Sequence, residues 1–428
     1  MNTIGIGILG AGTVGGTLIR RLVGDRDAIS AKTGLDLEVR RIAVREPGKA
    51  RPFELPPDRI VADPWTVVRD DAVDLVVELM GGRDPAGDLV LAAVDAGKPV
   101  VTANKELIAA RGPELIAAAE RSGVPLLFEA AVGGGIPIIR PLSETLAGEQ
   151  IASVKGIVNG TTNFILTRMA EEGTRFAEAL AQAQALGYAE ADPTADVEGD
   201  DAAAKAAILA SLAFGTWVGV DDVHREGIVD VTAADMAFAA EFGYVIKLLA
   251  IAERFETGVT ARVHPAMIPS DHPLASIRGA TNAIFITGPS IDELLFAGPG
   301  AGGEPTATAV LGDVIDAARE HLAHAQVAPR IRFSPGDLVD FSTVATKWYV
   351  RLEVEDRPGV LARVAGVFGD AGVSIKSVWQ EGRGDEATLL IITHRAVEAA
   401  QRAAVEAVGR LASVERVAAV IRVESDEP

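Results

Sequence analysis

Cysteine is absent from all 428 residues, which excludes disulfides, thiolate nucleophiles and thiolate metal sites outright. Positive charge is scarce: 40 Lys and Arg face 60 Asp and Glu, a formal net charge of -20, and no basic cluster offers a nucleic-acid footprint. Long apolar runs are missing too. None approaches the ~18 residues of a membrane span, and the run from Tyr244 to Ile251 is interrupted by Lys247. The opening MNTIGIGILG has no positive n-region and a Gly-rich strand pattern in place of an apolar helix, so no signal peptide is expected and the expected compartment is cytoplasmic. No metal-catalysis motif stands out, and His321 and His324, three apart near the end of a helical pattern, read as complements to a helix dipole. What remains, 48% hydrophobic and 23% charged, is the composition of an ordinary soluble globular chain with room for two or three domains.

The first segment alternates strand and helix. Thr3 to Leu9 reads as a buried strand, followed by GAGTVGG and an amphipathic helix through Leu18, Leu22 and Val23. Gly10, Gly12 and Gly15 form G-x-G-x-x-G in the strand, turn and helix context that cradles a dinucleotide pyrophosphate. Gly5, Gly7 and Gly10 share the spacing, but that register would pull Ile6, Ile8 and Leu9 out of the strand, so the second register is preferred. Tight packing of helix on strand is the plainer alternative. Strands at Leu37 to Val44, Val73 to Leu79, Pro99 to Ala103 and Leu126 to Glu129, with helices near Pro85 to Ala96 and Lys105 to Arg121, predict a Rossmann-type doubly wound parallel sheet over residues 1–137. At the end of the second strand, where an NAD site wants a carboxylate, Arg45 precedes Glu46. Arg45, with Lys49 and Arg51 nearby, favours the 2′-phosphate of NADP over NAD, a solvated basic loop being the alternative.

The most unusual stretch is AQALGYAEADPTADVEGDDAAAK, residues 183–205. Its six carboxylates (Glu190, Asp192, Asp196, Glu198, Asp200, Asp201) run into an Ala-rich helix that carries Lys205. Pro193 keeps Asp192 out of the α region, so the first half is a shaped loop. Asp201 and Lys205, four apart, share a helix face. A solvated acidic cap is one reading. The other is functional, because Lys205 is the lone charge from Ala202 to Leu212. A lysine among carboxylates keeps its proton and suits a general acid, and the remaining carboxylates can hold a substrate ammonium.

Asn104 and Lys105 in TANKELIA fall at the carboxyl end of a predicted strand, where open α/β sheets bind ligands, although Lys105 could equally start a solvated helix face. In FEAAVGGGIP, Glu129 and turn carbonyls suit a hard cation or make a plain tight turn. From Ile151 the pattern changes to a mixed α+β domain, 138–302, with a strand at Ala152 to Val158, the turn NGTTN, and helices around Ile165 to Glu171 and Phe176 to Leu186. Further strands are expected at Val245 to Ala252, Gly258 to Val263 and Ala283 to Thr287. GPGAGGEPTATAVLGD enters a helix, 303–325, expected to return to the first domain, its amide end facing a cofactor. A linker spans 326–347, and 348–428 reads βαββαβ, a ferredoxin-like plan without a catalytic cluster.

These motifs together resemble the homoserine dehydrogenases that carry a C-terminal ACT regulatory domain. The spacing of Ala183, Gly187, Asp192, Pro193, Asp196, Gly199, Asp201 and Lys205 fits that family's signature, with VTANK, VGGGIP, NGTTN and GPGAGGEPT in support and DRPGVLA similar to the ACT ligand turn. The resemblance implies NAD(P)-dependent interconversion of L-homoserine and L-aspartate 4-semialdehyde in threonine, methionine and isoleucine biosynthesis. It implies Lys205 as proton donor or acceptor and Lys105 as a second lysine at substrate and nicotinamide. Glu190 and Asp201 would hold homoserine, with Asp196 orienting the lysine and the substrate. Thr13, Val14, Gly187 and Gly302 would contact NADP. Glu129 with the carbonyls of Val132, Gly134 and Ile136 would bind a monovalent cation, Na⁺ or K⁺, and Asp356 and Gly359 would lie at a threonine effector site in a homodimer or homotetramer. The rival readings are another amino- or hydroxy-acid NAD(P) oxidoreductase and a non-catalytic amino-acid sensor.

Overall fold

From Ile4 onward the strand Thr3–Leu9 (β1) is buried on both faces, the signature of a strand enclosed by helices in a parallel sheet. A computed structural model describes residues 3–51, 53, 56–323, 330–382 and 387–425. His324, the first four residues of the expected linker and the last residues of the expected helix 303–325 lie outside them. The chain divides into two compact units, one of residues 1–154, 204–222 and 282–336, the other of 155–203, 223–281 and 337–428.

In the first unit, β1, Asp36–Ala43 (β2), Ile60–Val61 (β3), Leu75–Glu78 (β4), Val100–Thr102 (β5) and Leu126–Leu127 (β6) form a six-stranded sheet in the order β3-β2-β1-β4-β5-β6. All five neighbouring pairs are parallel. The order reverses beside β1, creating the crevice at which doubly wound sheets bind dinucleotides. The helix Gly303–Ala323 supplies Ala307, Val310, Val314 and Ala317 to the core that β1 shares with Leu18, Ile19 and Leu22 of the helix Thr13–Gly24. Sequence and structure part where local pattern is weak. Neither the short helix Arg26–Thr33 nor the strand Asp292–Pro299 buries a single residue, so neither carries the buried apolar face that marks an element in sequence. The strand expected to run to Glu129 stops at Leu127, because Glu129 turns its carboxylate onto the amides of Ile138, Ile139 and Arg140.

The second unit holds a mixed sheet in the order Ser153–Ile157, Tyr244–Phe255, Gly258–Pro269, Val414–Val423, Ala345–Val354, Ala387–Thr393, Ile375–Glu381. Its last four strands, with the helices Val360–Asp370 and Glu398–Gly409, are the βαββαβ domain, antiparallel throughout. Val350, Leu352, Val364, Phe368, Leu389 and Val408 fill its core. This domain's last strand continues the neighbouring sheet in parallel register, Ala266 facing Arg422. Among the described residues no helix is long and apolar enough to cross a membrane, and no group of three His, Cys, Asp or Glu side chains is arranged to hold a metal ion.

Candidate functional site

Steric contacts choose between the two glycine registers. Gly5 and Gly7 lie inside β1, where a Cβ would meet Ala72 O at 2.0 Å and Val67 Cγ1 at 2.5 Å, so both serve strand packing. Gly10 has φ +98° and a Cβ there would stand 2.6 Å from Leu79 O, while a Cβ on Gly15 would stand 2.2 Å from Gly10 O. Gly12, by contrast, has no atom within 4 Å of such a Cβ. The first and third glycines let the chain fold on itself, and the second leaves open space above the turn. Gly12 is also the N-cap of the helix Thr13–Gly24, with no side chain capping it, so the amides at Thr13 and Val14 begin a positive helix end suited to a phosphate. Gly302, φ +118°, precedes the helix Gly303–Ala323, whose first residue sits where a Cβ would be 3.0 Å from Thr17 Oγ1 and 3.2 Å from Thr13 Cγ2. The late loop is therefore beside the Gly10–Gly15 turn.

The carboxyl ends of β1, β4 and β5 lie level, with Leu9 facing Glu78 and Glu78 facing Thr102. Buried Glu78 accepts from Thr102 Oγ1 (2.7 Å) and from Met80 N (2.7 Å), and Thr102 Oγ1 in turn accepts from Asn104 N (3.0 Å). Asn104 caps the helix Lys105–Ser122 through Leu107 N (3.0 Å) and donates to Gly82 O (2.6 Å). Half-buried Lys105 is thus launched from a fixed N-cap on the sheet edge that bears the glycine turn. Arg45 and Lys49 are exposed after β2, but Arg51 is committed to its own loop: its guanidinium donates to the carbonyls of Glu46, Pro47 and Lys49.

Glu129 sits at the turn Val132–Ile136. Its Oε1 accepts from Ile138 N and Ile139 N (2.5 and 2.7 Å) and its Oε2 from Arg140 N (3.0 Å). Gly133 and Gly134 are left-handed, and among the described residues no backbone amide outside helices and strands donates to the carbonyls of Val132, Gly134 or Ile136. Three carbonyls and one lightly used carboxylate oxygen are the donor set a hard cation takes.

In the second unit the acidic stretch sorts itself. Asp192 accepts from Thr194 N and Oγ1 (3.1 and 2.6 Å), bonds that hold its carboxyl below the usual range, and closes a local turn. Asp200 pairs with Arg225 (2.7 Å). Asp196 and Asp201 converge on Asn159, whose Nδ2 donates to Asp196 Oδ1 (2.7 Å) and Asp201 Oδ2 (2.8 Å). Asn159 Oδ1 accepts from Thr162 N (2.8 Å) at the start of the helix Gly160–Glu172, which fixes the orientation of the amide. The helix Asp200–Phe214, whose residues from 204 onward are counted with the first unit, carries Asp201 and, one turn on, Lys205, both half-buried among buried alanines. Glu190 and Gly187 are exposed on the loop before Asp196. This loop is tied down where Thr161 Oγ1 donates to Tyr188 O (2.6 Å). Asn159 was not singled out from sequence; its signal is the first residue of NGTTN, an Asn immediately before a helix. In the C-terminal domain Gly359, φ +87°, caps the helix Val360–Asp370, and Asp356 Oδ1 accepts from Gln380 Nε2 (2.9 Å).

The last residue of NGTTN has its own anchor. Lys247 Nζ donates to Asn163 Oδ1 (2.9 Å) and Ile277 O (2.5 Å), and burial, with repulsion from Arg278 added, lowers its pKa to about 8. The unfolded chain, at the ordinary 10.5, binds more protons between those values, so this group's contribution to stability is least below about pH 8 and rises toward about 10.5. Urea unfolding of the unaltered chain should gain on Lys247→Met between about pH 7.5 and about pH 9.5. A difference that stays constant over that window counts against the assignment.

Comparison with known proteins follows the same division. The family model described as "Homoserine dehydrogenase, NAD binding domain" matches residues 10–129, that described as "Homoserine dehydrogenase" matches 137–315, and that described as "ACT domain" matches 348–413. The homoserine dehydrogenase of Corynebacterium glutamicum is 46% identical, covering 99% of this chain and 96% of its own, and that of Mycobacterium tuberculosis is 46% identical with 98% of each covered. A solved homoserine dehydrogenase from Thiobacillus denitrificans superposes with a TM-score of 0.92 at 40% identity over 99% of both chains. A hyperthermophilic archaeal homoserine dehydrogenase in complex with NADPH reaches 0.62 at 29% identity, over 74% of this chain and 98% of that one.

Proposed function

Because the chain belongs to the homoserine dehydrogenase family, a family of NAD(P)-dependent oxidoreductases, we propose that it interconverts L-homoserine and L-aspartate 4-semialdehyde with NADP as the preferred cofactor. The observation that carries the reading is the pair Asp196 and Asp201, drawn onto one amide of Asn159, with Lys205 one helical turn beyond Asp201. Two carboxylates held at fixed spacing suit an ammonium with three donors, and a cationic amine one turn away suits the hydroxyl or aldehyde oxygen of the same small molecule.

Bound NADP would supply or accept the hydride at C4 of the substrate. The chain's own groups do the rest. Lys205 gives a proton to the oxygen when aldehyde is reduced and takes it when homoserine is oxidised, and Lys105 adds positive charge where the alkoxide develops. Asp201 and Glu190 hold the amino acid, Asp196 orients it, and Gly10, Gly12, Thr13, Val14, Gly15, Gly187 and Gly302 take the cofactor. Glu129 with the carbonyls of Val132, Gly134 and Ile136 holds a monovalent cation in a structural role. Threonine acts at Asp356 and Gly359, with two copies of the C-terminal domain completing that site in a homodimer or homotetramer.

Cofactor choice rests on Arg45. An exposed guanidinium gripping a phosphate contributes about 1.5 kcal/mol, so Arg45→Ala should raise KM for NADP on the order of tenfold and leave KM for NAD nearly unchanged. An equal effect on both cofactors would assign Arg45 to the loop alone. The reaction itself is tested by steady-state absorbance assays with homoserine and each of NAD and NADP, with and without threonine. A chain that turns over other hydroxy or amino acids but not homoserine would overturn the substrate.

A further inference from the structure

The stretch 196–201 is gripped from a second side, by residues 225–228. Ile228 N donates to Val197 O (2.8 Å), and Gly227 lies so close beneath that a Cβ there would stand 2.2 Å from the same oxygen. Arg225 Nε meets Asp200 Oδ1 at 2.7 Å, directly before Asp201 in the chain. These four residues are anchored in turn. Glu226 N donates to Val263 O (2.8 Å), and its carboxylate receives both terminal nitrogens of Arg422, Nη1 on Oε2 at 2.6 Å and Nη2 on Oε1 at 2.8 Å. His224 Nε2 lies 2.9 Å from Oε1. Burial alone would raise the Glu226 carboxyl, yet the bonds from His224 and Arg422 hold it well below the usual range.

Arg422 has no slack of its own. It is 2% exposed, its Nε and Nη2 donate to the two oxygens of Glu398 (2.8 and 2.9 Å), and its guanidinium lies over the rings of Phe341 and Trp348 at 5.1 and 5.4 Å. It stands on the last strand of the C-terminal domain, and Glu398 begins that domain's second helix. A planar fork that serves two carboxylates at once fixes direction as well as distance, so any displacement of that strand is felt at Glu226. From there the backbone of 226–228 hands it to Val197, and the side chain of Arg225 to Asp200.

Resting on the function proposed above, we propose that Arg225 and Glu226 are positioning residues for the amino-acid substrate, carrying the placement of Arg422 to the Asp196–Asp201 stretch. Carboxylates that hold an ammonium bind ground state and transition state alike, so slack in this strut shows in KM and spares kcat. The Arg225–Asp200 pair is about half exposed, at 47% and 48%, and such a pair adds little to stability. Its loss would therefore be silent in a melt and visible in substrate affinity.

A double-mutant cycle tests the strut. Asp200→Asn and Arg422→Lys alter the two ends of the strut, which meets Asp200 at Arg225 and Arg422 at Glu226. Each is expected to raise KM for homoserine roughly 3- to 10-fold, and the double variant no further than the larger single effect. Expected with these are kcat within about twofold, an unchanged KM for NADP and an unchanged melt for Asp200→Asn. Single effects that multiply in the double variant, or a kcat that falls in step with KM, would overturn the proposal. If Arg422→Lys does not fold, Glu226→Gln replaces it, leaving Arg422 paired with Glu398. Absence of homoserine turnover in the unaltered chain would bring down the proposed function and this inference with it, whereas turnover with multiplying effects removes the strut alone.

Discussion

Lys205→Ala is expected to lower kcat roughly 10²- to 10⁴-fold, the usual contribution of a positioned general acid or base. The helix Asp200–Phe214 makes this a clean substitution. Ala202, Ala203, Ala204, Ala206 and Ala207 are all buried around Lys205, and alanine has the highest helix propensity, so the fold loses little. Lys205→Arg is expected to fail nearly as badly, since a guanidinium keeps the charge but does not release its proton. The measurement is steady-state oxidation of homoserine alongside a thermal melt: loss of turnover with an unchanged melt places the lysine in the chemistry. Near-normal kcat in the alanine variant would remove it from that role.

What the sequence made legible follows from how far apart the interacting residues lie. The parallel sheet was readable because β1 and β4 are buried on both faces, so Ile4 to Leu9 and Leu75 to Val77 appear as continuous apolar runs. The glycine turn was readable from its spacing, and the register from keeping Ile6, Ile8 and Leu9 in the strand; the Gly15 clash with Gly10 O is local, whereas the Leu79 carbonyl that forbids a side chain at Gly10 comes from a distant strand end. Arg51 could not be removed from the phosphate site by reading alone, since the three carbonyls it serves come from the shape of its loop. The acidic stretch was recognisable as a unit. Its division into a turn, an ion pair and a substrate pair was not, because the sorting partners Asn159 and Arg225 stand 37 and 42 residues from Asp196 and Asp201 in one case and beyond the helix in the other. Arg422 and Glu226, 196 residues apart, leave no local trace at all.

The second large effect concerns stability. Asp235 has 0% exposure and caps its own helix, Ala233–Glu241, accepting from Thr232 N (3.0 Å) and Oγ1 (2.6 Å). Those bonds are local and neutral. The charge is met by Arg351 from the strand Ala345–Val354, with Nε on Oδ1 at 2.8 Å and Nη2 on Oδ2 at 3.2 Å. Arg351→Met removes the cation and keeps most of the aliphatic bulk, leaving an ionised carboxylate buried without a counter-charge, at an expected cost of about 3–5 kcal/mol. Adding Asp235→Asn should recover much of the loss, because the amide no longer carries a charge and its oxygen can still accept from Thr232. Urea midpoints of the three variants at one protein concentration separate this from simple loss of packing, which the second substitution would not repair. A midpoint for Arg351→Met equal to that of the unaltered chain would mean that Asp235 needs no cation.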